Sequence, residues 1–187
     1  MKTATLTDAQ MAQRISRFKE LKPLPIQDAA IPEAARDVVY ARKLLSVIGL
    51  ADGPGTPINA GAPIQGAAGL TMTLAVCPPG QGPGLHNHVN TYETFTVLKG
   101  RFEVTWNADG SGRTVLEAFD TISVPPGVCR AFRNIGDDEG VLQVLITGGV
   151  HDMNDIAFTA RARRDIEAVG QGFVEQFEAV GFRFDAG

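Results

Sequence analysis

The sequence has few cysteines, few histidines, no long apolar run and no excess of positive charge. Cys77 and Cys129 are its only cysteines, too few for a disulfide framework, so both are expected as free thiols. No apolar stretch approaches the roughly 20 residues that span a bilayer as a helix. The opening segment, Met1 to Asp8, lacks the apolar core of a secretory signal. These absences lead to the expectation of a cytoplasmic protein with no membrane partner. Seventeen Lys and Arg stand against 21 Asp and Glu, a net charge of -4. That leaves no basic footprint for nucleic acid, which is not expected as a partner.

What the chain does have is a globular composition, 44% hydrophobic with 20% charged over 187 residues, enough for one domain with a buried core. Gly 21 and Pro 11 are high together, as many short strands joined by tight turns require.

Thr7-Asp8-Ala9-Gln10 has the spacing of a capping box. Met11, Ile15, Phe18 and Leu21 follow at helical intervals, so a helix is predicted over 8–20, ended by Lys22-Pro23-Leu24-Pro25. Pro32 suits the first turn of a short helix near 32–37. The β-branched Val47 and Ile48, followed by a Gly/Pro-rich segment, favour a strand over 42–49. Residues 51–69 read as loop. Runs at Leu70–Cys77, Thr94–Leu98, Arg101–Trp106, Arg113–Leu116, Thr121–Val124, Cys129–Asn134 and Val141–Thr147 then alternate with Gly/Pro punctuation, including the turn signal Asp109-Gly110. Such a series predicts an all-β sandwich or barrel. From 160 to 180, Ile166, Val169, Phe173, Phe177 and Val180 mark an amphipathic helix, weakened by Gly170 and Gly172.

Two of the three histidines stand in His86-Asn87-His88, with Glu93 five residues on. On a strand, residues i and i+2 share a face, so both imidazoles point the same way. Two imidazoles and a carboxylate form the facial set that holds a divalent metal with positions left open. Glu93 has the opposite parity, so a turn or bulge among Val89–Tyr92 must re-aim it.

The spacing Gly80, five residues, His86-x-His88, four residues, Glu93, six residues, Gly100 matches the first signature motif of the cupin superfamily. The second motif, Pro-x-Gly, two residues, His, three residues, Asn, is matched at Pro125, Gly127 and Asn134, with Arg130 in place of the histidine. The glycine that usually opens it is replaced by Phe119, ahead of Asp120. Over about 68–148 the chain therefore resembles a cupin. The resemblance implies an all-β jelly-roll barrel there, an N-terminal extension over 1–67 and a helical tail over 149–187 packed on the barrel. It also implies a homodimer, for which the apolar stretch 38–50 and the tail helix are the candidate interface.

Arg130 divides the functional reading. A guanidinium has no lone pair to give a metal. In one arrangement it points to substrate: His86, His88 and Glu93 then bind iron, manganese, nickel or zinc, and Arg130 anchors a small organic acid or phenolic compound. Dioxygenase, isomerase or lyase chemistry fits such a site, with Glu93 and Arg130 as its catalytic pair. In the other arrangement Arg130 pairs with Glu93, and the barrel is a metal-free, non-catalytic pocket for a small, anionic ligand. Strand alternation turns Cys129 away from Arg130, which makes it a poor substitute ligand. Among further polar and aromatic residues, Glu103 belongs on a solvated face. Gln143 lines the pocket or lies at an edge, Tyr92 and Trp106 rim the pocket or pack in the core, and His151 is assigned to a loop or interface.

Overall fold

The computed structural model describes residues 3–24, 30–50, 56–66, 69–149 and 152–187. Two sheets face each other across a closed core. The six-stranded sheet contains β1 (Lys43–Gly49), β2 (Ile64–Gln65), β3 (Leu70–Cys77), β5 (Tyr92–Lys99), β8 (Thr121–Val124) and β10 (Gly140–Thr147), in the order β2-β1-β3-β10-β5-β8. The five-stranded sheet contains β4 (His86–His88), β6 (Phe102–Trp106), β7 (Gly112–Leu116), β9 (Arg130–Asn134) and β11 (Ile156–Phe158), in the order β11-β4-β9-β6-β7. Apart from the parallel β1–β2 edge, all pairings between these strands are antiparallel. This is the jelly-roll architecture that the motifs imply.

Alternation sorts the side chains. Along β10 burial switches at every residue, and Leu142, Val144 and Ile146 join Phe95, Val97, Phe102 and Val104 in the barrel core. Gln143, of opposite parity, lies on the other face beside the Met72 sulfur, so it does not enter the core or the site. Glu103 likewise alternates with buried Phe102 and Val104. Cys129 does face away from Arg130, but it is buried with Leu85, Ala157 and Ala186, because β11 and the chain's end cover that outer face.

The helical parts depart further from expectation. The capping box at Thr7 and Gln10 forms, yet α1 is only Asp8–Ala12, followed by a separate 3-10 turn at Phe18–Glu20. None of its residues is buried, and Met11, Ile15 and Phe18 are exposed. A helix without a packed face has little to sustain its length. The next helix, α2, runs Glu33–Val39, with Pro32 as its cap residue. The segment read as loop contains a short helix, α3 (Pro57–Gly61), capped by Thr56, and β2. The tail divides into α4 (Ala160–Val169) and α5 (Phe173–Ala179), separated by Gly170–Gly172, where Gly172 takes φ 83°. The apolar faces of α4 and α5 are spent inside the chain: Ile166, Val174 and Phe177 pack with Ala35 and Val39 of α2 and with Phe158 of β11. The N- and C-terminal extensions thus share a second core beside the barrel. No helix among the described residues is long and apolar enough to cross a membrane.

Phe119 shows what its substitution for glycine entails. It has φ 76° and is 81% exposed, while its N–H donates to the Val97 carbonyl at 2.7 Å. The turn keeps the left-handed backbone that glycine adopts freely, and an L side chain there costs roughly 1–2 kcal/mol. Phe119→Gly is expected to stabilise the protein by about 0.5–1 kcal/mol, since glycine's greater freedom in the unfolded chain offsets part of the gain. Chemical denaturation of the two proteins checks this; a destabilised variant would mean the phenyl ring makes contacts that offset the strain.

Candidate metal centre at the barrel mouth

The parity problem of Glu93 is resolved by a corner between the sheets. His86 and His88 lie on β4 in one sheet and Glu93 lies on β5 in the other, so the side chains meet across the barrel. The corner is held by Asp155, from the turn before β11. Its carboxylate accepts from Asn90 N at 2.7 Å and from Thr91 Oγ1 at 2.6 Å, and its carbonyl accepts from Val89 N at 2.8 Å. The other side of the corner is tied by Gly127 N, which donates to the His88 carbonyl at 2.7 Å.

These contacts also orient the imidazoles. His86 Nδ1 lies 2.9 Å from the Gly84 carbonyl, and His88 Nδ1 lies 2.9 Å from Asp155 Oδ2. Both partners are acceptors, so each Nδ1–H donates outward and each Nε2 faces inward. Both Nε2 atoms stand 3.6 Å from Glu93 Oε2. His86 is further fixed by stacking on Phe158, with ring centroids 5.0 Å apart.

One donor atom from each of His86, His88 and Glu93 falls within 4.8 Å of the other two, and all three residues are buried. Metal bonds of roughly 2.0–2.2 Å place donor atoms roughly 3–4 Å apart, so these three side chains could hold one ion.

Arg130 opens β9 directly opposite His86 in the register. It is fully buried and takes the orientation that grips Glu93: Nε donates to Oε2 at 2.8 Å and Nη1 donates to the Val128 carbonyl at 3.0 Å. The contact is not bidentate, and Nη2 has no hydrogen-bond partner among the described residues. Burial opposes the charge on Glu93, but His88, Arg130 and His86 outweigh it and hold the carboxyl well below the usual carboxylate range. Glu93 is therefore an anion whose Oε2 serves Arg130 and faces both imidazoles.

A cavity of about 140 Å³ opens onto this cluster. His86, His88 and Glu93 line it; Arg130, Tyr92, Trp106 and Gln143 do not. Tyr92 is half exposed at the start of β5, and Trp106 ends β6 against Gly112. His151 lies outside the described residues. Sequence reasoning missed Asp155, a lone acidic residue ahead of the apolar triplet Ile156-Ala157-Phe158; nothing in its local pattern ties it to His88 across 67 positions.

The family model described as Cupin domain matches residues 73–147. No curated protein sequence matches the chain. Among solved structures, a Bacillus halodurans protein is 21% identical with a TM-score of 0.44, covering 48% of this chain and 70% of that one. An oxalate oxidase is 25% identical with a TM-score of 0.39, covering 43% and 42%. A structure from a study of DMSP lyases is 20% identical with a TM-score of 0.45, covering 58% and 48%. This chain thus spans less than half the length of either of the last two. Both signature motifs thus lie on one barrel, and the part of the chain that matches the Cupin domain model, residues 73–147, lies on its strands.

Proposed function

We propose that the barrel mouth is a metal centre of three protein ligands, His86, His88 and Glu93, and that the protein is a metal-dependent enzyme acting on a small organic molecule. The observation that carries this reading is the orientation of the two rings: with both Nδ1–H groups engaged, the two Nε2 atoms converge on an ionised Glu93, where each would offer its lone pair to a bound ion. Iron, manganese, nickel and zinc all accept such a donor set. A bound ion would supply Lewis-acid or redox chemistry at positions the protein leaves open. The chain's own residues orient the ligands, exclude water with an apolar wall, and hold Glu93 ionised through Arg130. In this reading Arg130 is a positioning residue for Glu93, and oxygenation, isomerisation and lyase chemistry all remain compatible with the ligand set.

A second reading has one specific observation in its favour. The Arg130–Glu93 pair already neutralises the carboxylate, so the same barrel could act as a metal-free binding module. The purified, untagged protein is expected to carry stoichiometric metal, lost in His86→Ala, by elemental analysis. No metal in the wild type, even after reconstitution with ferrous iron or manganese, would leave only the binding-module reading.

A further inference from the structure

The cavity tells more about the ligand than the ligand set does. The family match covers 73–147, yet much of the cavity wall comes from outside it. Leu24, Tyr40 and Ile58 close it from the N-terminal side, and Met153, Phe158 and Phe182 close it from the C-terminal side. Val144 and Ile146 of β10 supply apolar wall from the barrel. The second core, in which α2 packs on α4 and α5, is what brings these two extensions together over the mouth.

Apart from the two histidines, the ionisable side chains that line this space among the described residues are two acids and a tyrosine. Glu93 and Asp152 are its acidic residues, and no Lys or Arg lines it among the described residues. Arg130, which sequence reasoning offered as an anchor for an anion, is fully buried on Glu93 and absent from the wall. Tyr40, 5.6 Å edge-on from Phe182, stays a neutral phenol because burial pushes its hydroxyl up. With no metal bound, an anionic group on a ligand would lose its hydration here and gain no lysine or arginine among the described residues in return. A cavity of about 140 Å³ is close to the roughly 150 Å³ apolar cavity that takes up benzene in an engineered protein.

From this we infer that the cavity takes an uncharged, hydrocarbon-rich molecule of about one ring, with a single oxygen-bearing group directed at His86, His88 and Glu93. The apolar extensions, rather than the barrel motifs, select it. The inference rests on the reading of the barrel mouth as the ligand site and narrows its substrate class, setting aside acids that carry their charge on the ring. It does not depend on which metal is bound.

The test uses 4-methylphenol and 4-hydroxybenzoate, which share a ring and a hydroxyl and differ in para charge. Calorimetric titration of the full chain with metal removed is expected to show 4-methylphenol binding at least tenfold tighter. Equal or tighter binding of 4-hydroxybenzoate, or no binding of either compound, would overturn the inference. In Ile58→Lys, an ammonium in the wall is expected to bring the two affinities to within about threefold. An unchanged ratio there would mean that binding occurs elsewhere, and the inference fails. Metal content, measured separately, distinguishes the two proposals. A metal-free protein that still prefers 4-methylphenol keeps the ligand class and loses the metal centre. A protein that binds metal when loaded, but whose metal-free form prefers 4-hydroxybenzoate, does the reverse.

Discussion

Replacing Arg130 with methionine is expected to destabilise the metal-free protein by about 3–5 kcal/mol, the usual cost of stripping one partner from a buried ion pair. Glu93 would be left buried and charged between two imidazoles, with Oε2 deprived of its 2.8 Å donor. Metal should behave in the opposite sense. A fixed guanidinium roughly 5 Å from an ion, at an effective dielectric near 20, repels each unit of its charge by about 3 kcal/mol. Removing Arg130 lifts that repulsion and frees Oε2, so the variant should bind manganese or zinc more tightly and regain stability when it does. Urea unfolding with chelator and with metal measures both halves. Unchanged stability in chelator would mean that the Arg130–Glu93 contact does not hold in solution. Arg130→His goes further by offering a third imidazole, and so a fourth ligand, beside His86, and its metal affinity should exceed that of the methionine variant.

The second large effect is expected at Asp155. Asp155→Ala removes the acceptor for His88 Nδ1, Thr91 Oγ1 and Asn90 N at once, in a place with no solvent exposure. Each buried donor left unpaired costs about 1–3 kcal/mol, so the variant should lose more than about 3 kcal/mol. Its metal affinity should fall by about 10–100-fold, because His88 loses the carboxylate that fixes its tautomer and strengthens its basicity. Asp155→Asn keeps an acceptor without the charge, so it should recover part of the stability and less of the affinity. Leu142→Ala, in the barrel core away from the ligands, is the control at a comparable cost of about 2–5 kcal/mol. If it weakens metal binding as much as the Asp155 variants do, Asp155 contributes only to folding.

These two residues also mark where local pattern stops being informative. Most strands from Leu70 to Thr147 were legible because they bury one face, and period-two alternation leaves that face written in consecutive residues, while β3, buried on both faces from Thr73 to Cys77, reads as a continuous apolar run. The convergence of His86 with His88 was legible for the same reason. Arg130 was visible as an oddity in the second motif, but its direction was not. Whether a guanidinium meets substrate or carboxylate depends on what the facing sheet presents, and that is Glu93 on a strand 37 residues away. Asp155 carried no signal at all, since an acidic residue in a loop looks the same whether it is solvated or stapling a corner.

The helical segments show the converse. Capping at Thr7 is a contact between neighbours, so it formed as its sequence predicts. The length of α1 depended on a packed face, and with Met11, Ile15 and Phe18 exposed the helix stops at Ala12. In the tail, helical periodicity was correct for α4 and α5, but the partner of that apolar face was not in the pattern. It is α2, more than 100 residues earlier in the chain.

By itself, then, the sequence determined the barrel, its strand faces and a histidine pair that shares one side, because all of these follow from spacings of a few residues. Only the tertiary structure decided that Arg130 holds Glu93, that Asp155 holds His88, and that two distant extensions close an apolar cavity over the pair. Those outcomes rest on contacts between chain segments that no local periodicity relates, and their energies exist only once the segments are brought together.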